Sequence, residues 1–244
     1  MSEALIRVEG LSYGWGSQLL LQDASFEVDR GDVFLILGGS GSGKSTLLRH
    51  LIGLEEPRSG RIEIAGIGAP RLEGNAPEYG VMFQSGALFS SLSVGENVAF
   101  ALHEWTDIPP LAIAAIVKAK LALVGLEGTE DRLPAELSGG MKKRAAIARA
   151  LALEPSLLFL DEPSAGLDPV SAAELDELIA VLNRSLGLTV VMVTHELASI
   201  FQVGKSCILL DPDSRSIIAR GNPRALAQSS RDPRVQQFFG RQAR

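Results

Sequence analysis

Residues 33–46 read VFLILGGSGSGKST: five apolar residues, a glycine-rich turn, then a lysine and two hydroxyl residues. An apolar run of that length suits a strand covered on both faces. Gly38, Gly41 and Gly43 allow backbone conformations closed to other residues, so successive N–H groups of the turn can converge on phosphate oxygens. Behind the turn, residues 46–54 (TLLRHLIGL) have the apolar spacing of a helix, which aims a helix N-terminus at the same anion. Lys44 adds a point charge for the outer phosphates, and Ser45 offers a hydroxyl to a magnesium ion. Lys44 is the only lysine in residues 1–117, where the other side chains with a fixed positive charge are all arginine. An ammonium is required at this place.

The segments around this turn alternate between two periods. Residues 5–11, 24–28, 61–66 and 79–83 read as strands, and residues 92–152 are helical in period. The apolar runs LLFLD (157–161), TVVMV (189–193) and CILLD (207–211) then return, separated by helix-like stretches such as 170–187. That alternation predicts an α/β fold, a parallel sheet with crossover helices. A strand over 216–221, a short helix and an arginine-containing tail complete the chain. The expected division is a single domain over 1–220, with a core lobe at about 1–84 and 156–220 and a helical subdomain at about 85–155, followed by a short helix and tail over 221–244.

Composition narrows the function. The 244 residues are 46% hydrophobic, enough for a sizeable core, and the formal charge of -6 with a pI near 5.2 argues against nucleic acid as a partner. The single cysteine, Cys207, lies in an apolar strand run and reads as a buried core thiol. The stretch MSEALIRVEGL lacks the pattern of a secretory signal, and no window is apolar over the roughly 18 residues that cross a bilayer. Any membrane role is expected to come through a partner.

Three further strand ends carry polar groups. LLFLDE places Asp161 and Glu162 at the C-terminal edge of a core strand, where ligands bind in open α/β sheets. Asp161 is expected to hold the magnesium ion, and Glu162, on the other face because strand side chains alternate, to polarise a water for attack on the terminal phosphate. His195 ends VVMVTH, and Gln84 follows YGVMF; Gln84 could touch both metal and water. His50 and His103 read as structural or surface residues, and one cysteine without paired histidines predicts no zinc site. A second anion site appears at residues 137–151, LSGGMKKRAAIARAL, where a helix opens in Ser-Gly-Gly and exposes free N–H groups.

With GGSGSGKST, MFQ, LSGG, LLFLDEP, SAGLD and VTH in this order, the chain resembles the ATP-binding cassette family over nearly its whole length. The resemblance implies a P-loop cassette: a RecA-like core with a parallel sheet, an N-terminal antiparallel β subdomain and a helical insert. It implies a head-to-tail homodimer in which ATP, with Mg²⁺, is sandwiched between the P-loop of one copy and the LSGG segment of the other. The nucleotide-contacting residues would be Gly38, Gly39, Ser40, Gly41, Ser42, Gly43, Lys44, Ser45 and Thr46, with Ser138, Gly139 and Gly140 acting from the opposite copy. Trp15 matches the position that stacks on adenine, with Tyr13 as the other candidate, and Asp168 would carry signals across the dimer interface. Lys44, Gln84, Glu162 and His195 form the catalytic set; Ser45, Gln84 and Asp161 form the metal set. Two positions depart from the family's pattern, Gly39 where proline is common and Met141 where glutamine is usual.

LSGGM, residues 82–102 and DPRVQQFF (232–239) are similar to the ATPases of Mce-type lipid transporters, the Mla or toluene-tolerance systems of Gram-negative bacteria. That implies a peripheral subunit at the cytoplasmic face of the inner membrane, driving an integral permease beside a lipid-binding Mce protein and a small accessory subunit. The segment 85–105 would form the groove for a permease helix, with Leu88, Phe89 and Leu92 as exposed apolar candidates. The rival readings are a transporter ATPase for another small solute, a soluble cassette ATPase such as an iron-sulfur assembly factor, and a P-loop kinase, which would have no use for LSGG.

Overall fold

The computed structural model describes residues 3–71 and 76–240. The last four residues of the expected tail lie outside that range. Two sheets share one core. β1 (Ala4–Trp15), β2 (Gln18–Asp29) and β4 (Ser59–Ile64) form an antiparallel sheet in the order β2-β1-β4. The second sheet has the order β5-β6-β7-β3-β8-β9, from β3 (Val33–Gly38), β5 (Gly80–Met82), β6 (Leu157–Asp161), β7 (Thr189–Val193), β8 (Ser206–Asp211) and β9 (Ser216–Gly221). It is parallel from β5 to β8, and only β9 pairs antiparallel.

The apolar runs alternate between two clusters. Val33, Leu35 and Leu37 enter one cluster and Phe34 and Ile36 the other; Leu158 and Leu160 part from Leu157 and Phe159 in the same way, as do Val190 and Met192 from Val191 and Val193. Each strand is therefore apolar throughout because both faces are covered. The second face is covered by α1 (Lys44–Leu51) and the antiparallel sheet; the first by α2 (Val94–Trp105), α3 (Pro110–Leu123), α4 (Gly139–Ala150), α5 (Pro169–Leu186) and α6 (Leu197–Val203). The helical insert has no separate core, since Val98, Leu121 and Ile147 lie in the same cluster as Leu35.

Several elements differ from the sequence expectation. β1 continues to Trp15 and joins β2 in a tight hairpin, where a Cβ on Gly14 would lie 2.1 Å from the Gln18 carbonyl oxygen; only glycine admits that approach. The helix that carries the apolar run 46–54 begins at Lys44 and ends at Leu51, short of Leu54. The helix-like stretch expected between β7 and β8 is the short α6, and two short helices, α7 (Pro223–Ser229) and α8 (Pro233–Gly240), replace the single one expected after β9. Cys207 is buried, its thiol donating to the Gly221 carbonyl and its pKa pushed up to about 12 by burial.

Asp176 on α5 is an exception to the apolar interior. It is 1% exposed, its carboxylate accepts from Ser199, and Oδ1 has no partner. Burial, with Glu196 nearby, raises its pKa to about 6. The folded state thus binds the Asp176 proton more tightly than the unfolded chain, so this group's contribution to stability falls as pH rises from about 4 through 6. Asp176→Asn is expected to raise unfolding free energy at pH 7.5 by roughly 1–2 kcal/mol and by only about a third as much at pH 4.5; urea titrations at both values check this.

Candidate active site

Because β5, β6, β7 and β3 run parallel, their C-terminal ends share one edge. Gln84, Asp161 with Glu162, His195 and the glycine-rich turn all follow those ends. A cleft of about 550 Å³ opens there, lined by the turn residues Gly38, Gly39, Ser40 and Gly41, by Lys44 and Ser45, and by Gln84, Glu162 and His195.

The turn is fixed from below. Gly38 has φ 156°, and a Cβ there would lie 2.4 Å from Ser42 Oγ and 2.9 Å from the Leu210 carbonyl oxygen. The hydroxyl of Tyr13 donates to the Gly43 carbonyl at 3.0 Å, and its ring lies 4.8 Å from that of His50. Tyr13 is fully buried, which raises its pKa and leaves no ring face free for a base; Trp15 is 53% exposed. Of the two aromatic candidates, only Trp15 is available for stacking. Gly43 is the N-cap of α1 and provides no side-chain cap, so the first N–H groups of the helix are free for an anion.

Lys44 is buried and donates to the carbonyls of Gly38 and Gly39 at 3.1 and 3.0 Å. Desolvation lowers its pKa, opposed by the carboxylates of Glu162 and Asp161. Ser45 Oγ donates to Asp161 Oδ1 at 3.0 Å, the α1 side of the sheet being where strand alternation puts Asp161. Desolvation raises the Asp161 pKa against the pull of Ser45, Arg49, Lys44 and Lys143. Asp161 lines a smaller neighbouring cleft that shares Ser45 with the larger one. Glu162 turns the other way at a left-handed backbone, φ 47°, and its Oε1 lies 2.8 Å from His195 Nδ1.

Two buried polar atoms beside the cleft lack partners, Ser42 Oγ and Glu162 Oε2. A native core leaves few such atoms, and both suit a bound phosphate and water. The hydroxyl of Ser45, the carboxylate of Asp161 and the side-chain oxygen of Gln84 are hard donors of the kind magnesium takes. The site therefore fits a magnesium nucleotide.

The second anion segment stands elsewhere. Ser138 caps α4, its hydroxyl accepting from Met141 N–H at 3.3 Å, and Ser138 and Gly139 are exposed. A Cβ on Gly139 would lie 3.2 Å from Leu167, and one on Gly140 3.6 Å from Ser171. The segment thus lies beside the start of α5, where Asp168 accepts from the backbone of Val170 and Ser171 at 3.1 and 3.0 Å. The Ser171 hydroxyl, first among the causes, holds Asp168 below the usual carboxylate range. Thr46 is half-buried on α1.

Sequence reasoning passed over three neighbours of this site. Leu197 and Phe238 line the cleft, the latter from α8. Lys143 on α4 is buried and reaches the carbonyls of Gln84 and Glu162. In MKKRAAIARA nothing in the local pattern distinguishes it from Lys142.

An apolar groove of about 580 Å³ is lined by Leu54, Phe83, Phe89, Phe100 and Trp105, with Arg149 at its wall. Phe89, Phe100 and Trp105 are exposed. Of the three residues proposed from sequence for a permease contact, only Phe89 is exposed; Leu88 and Leu92 are half-buried, Leu88 against the core.

The ABC transporter family matches residues 21–165. The intermembrane phospholipid transport system ATP-binding protein MlaF of Escherichia coli K12 is 40% identical over 96% of this chain and 88% of its own length. A probable ribonucleotide transport ATP-binding protein, mkl of Mycobacterium tuberculosis H37Rv, is 40% identical over 96% of this chain and 66% of its own length. The dimeric post-hydrolysis structure of the ATP-binding cassette MJ0796 with ADP and Pi superposes with a TM-score of 0.78 at 28% identity, covering 89% of this chain and 98% of that one.

The crowded Gly38 gives a direct test of the turn. An added methyl forces Ser42 or the β8 backbone to move, a strain of about 1–3 kcal/mol. Gly38→Ala is expected to weaken ATP binding roughly tenfold or more, by calorimetric titration, with an unchanged far-ultraviolet circular dichroism spectrum.

Proposed function

The chain belongs to the ATP-binding cassette transporter family, and from that premise we propose that it is the ATP-hydrolysing subunit of a phospholipid transporter, working as a head-to-tail pair. The observation that carries this reading is the separation of the two anion sites. The cleft at the sheet edge has a phosphate turn, metal donors and a base, while the Ser138 helix N-terminus opens beside α5. A second copy brings the two together.

In this reading the N–H groups of the turn and of the start of α1, with Lys44, bind the phosphates, and Trp15 stacks on the adenine. Ser45, Asp161 and Gln84 hold Mg²⁺, which neutralises phosphate charge when bound. Glu162 draws a proton from a water as its oxygen attacks the terminal phosphorus; the bond to the bridging oxygen breaks and ADP leaves. His195 keeps the Glu162 carboxylate in place through the 2.8 Å contact. Ser138, Gly139 and Gly140 of the partner contact the terminal phosphate through charge-assisted hydrogen bonds, each worth about 1.5–3 kcal/mol. Asp168 carries the state of one site to the other. Residues 85–155 move as the helical subdomain, and a permease helix occupies the groove at Phe89, Phe100 and Trp105.

The phospholipid cargo follows the likeness to MlaF; the Mce protein, the accessory subunit and the place at the cytoplasmic face of the inner membrane rest on the sequence resemblance of LSGGM, residues 82–102 and residues 232–239. The equal identity to mkl supports a second reading for the cargo alone, a nucleotide-type solute. Transfer of fluorescent phospholipid between liposomes by the assembled transporter decides between them; ATP-dependent transfer supports the lipid, and uptake of ribonucleotide without lipid transfer rejects it.

Glu162→Gln is expected to cut turnover by roughly 10²-fold or more and to trap an ATP-bound dimer on size-exclusion chromatography; near-normal turnover removes Glu162 from its role. Phe89→Asp is expected to release the protein from salt-washed membranes while leaving its own ATP hydrolysis within about twofold, because a buried carboxylate in an apolar groove is costly.

A further inference from the structure

α4 is in contact with three places at once. Its first turn carries Ser138, Gly139 and Gly140, the segment that on the proposed reading serves the nucleotide of the opposite protomer. One turn on, Lys143 is 7% exposed and donates to the carbonyl oxygen of Gln84, with the carbonyl oxygen of Glu162 at 3.5 Å. Two turns further, Arg149 donates to the carbonyls of Ala87 and Gly86 at 2.6 and 3.0 Å. Gly86 and Ala87 both have left-handed backbones, φ 75° and 48°. The chain that follows β5 is thus pinned to one helix from Gln84 to Ala87.

Lys143, like Lys44, is a buried ammonium that donates to backbone carbonyls. Both oxygens near the ammonium are neutral carbonyls, and they belong to the two residues that flank the attacking water on the proposed reading. Holding an ammonium away from water against neutral acceptors is expensive, and for packing alone a methionine or leucine would serve as well. The nearby carboxylates of Asp161 and Glu162 offset part of that cost, but the hydrogen bonds themselves go to the two backbone carbonyls, whose position they set.

We infer that Lys143 is a positioning residue for hydrolysis, tying the backbone of Gln84 and Glu162 to the helix whose first turn completes the opposite site, so that each protomer's catalytic pair is set by engagement of its neighbour's nucleotide. The inference rests on the head-to-tail reading for its second half and on the observed contacts for its first. A shift of α4 by a fraction of an ångström, on closing over the partner's phosphate, moves Gln84 and Glu162 with it. Coupling between the two sites then needs no contact between the nucleotides.

The test uses the full-length chain and steady-state ATP hydrolysis. Lys143→Met keeps the volume and removes the donor; Lys143→Arg restores donors of similar reach. Lys143→Met is expected to lower kcat roughly tenfold to a hundredfold, the scale of a small misplacement of catalytic groups. ATP affinity, measured in the Glu162→Gln background, is expected to change less than about twofold, and the Hill coefficient to drop from about 2 toward 1. Lys143→Arg is expected to recover most of the rate. If Lys143→Met does not fold, Lys143→Gln is expected to give the same split. Unchanged kcat and cooperativity in a folded variant, or a parallel loss of affinity and rate that arginine does not rescue, overturns the inference. Non-cooperative hydrolysis by wild-type protein that sediments as a monomer would reject the dimer reading itself; cooperative wild type beside an indifferent Lys143→Met rejects only the role of Lys143.

Discussion

Four parallel strand ends in the order β5, β6, β7, β3 are the constraint on which the site depends. No single segment contains it: Ser45 and Asp161 are 116 positions apart in sequence and 3.0 Å apart in space. The sheet that brings them together is covered on both faces, so the register of each strand is fixed by two apolar layers at once. A slip by one residue in β6 would exchange Asp161 and Glu162 between faces, taking the carboxylate away from Ser45 and the other away from His195. Rigid burial upstream is what permits polar precision at the strand ends.

Those ends break the rules obeyed by the strands behind them. Glu162 adopts a left-handed backbone without being glycine, and Lys44 is a buried ammonium satisfied by carbonyls. Ser42 Oγ and Glu162 Oε2 are buried without partners. Each departure costs on the order of 1–3 kcal/mol, and all of them surround one cleft. Strain and unmet hydrogen bonding gathered in one place are the mark of a surface prepared for a ligand. On the proposed reading, a bound phosphate supplies what the chain lacks there.

Much of this was legible in the sequence because the governing patterns are short. VFLILGGSGSGKST specifies strand, turn and helix within one stretch, and LLFLDE assigns its two acids to opposite faces by strand alternation alone. Cys207 announced its burial by its apolar neighbours. What stayed hidden depends on distant packing. Tyr13 and Trp15 lie two residues apart on one strand and differ only in distant packing: the Tyr13 ring is buried with its hydroxyl on the Gly43 carbonyl, while Trp15 stands exposed at the hairpin end. Lys143 and Asp176 lie in helices dense with charge, where a buried member looks like its exposed neighbours. Leu88 and Phe89 are adjacent and equally apolar, yet one joins the core and the other lines the groove. The cleft wall at Phe238 comes from a helix near the end of the chain that no local pattern connects to the phosphate turn.

The central claim is that the cleft of one protomer is completed by the Ser138–Gly140 turn of another. Mixing two inactive proteins tests it most directly, one carrying Glu162→Gln and the other Gly140→Asp. In a head-to-tail pair the mixed dimer contains one site with an intact Glu162 and an intact opposing turn, so ATP hydrolysis is predicted to reappear on mixing and to follow the heterodimer fraction. If each turn served its own protomer, both sites of the mixed dimer would stay dead, and hydrolysis at the level of the separate variants at every mixing ratio would contradict the account.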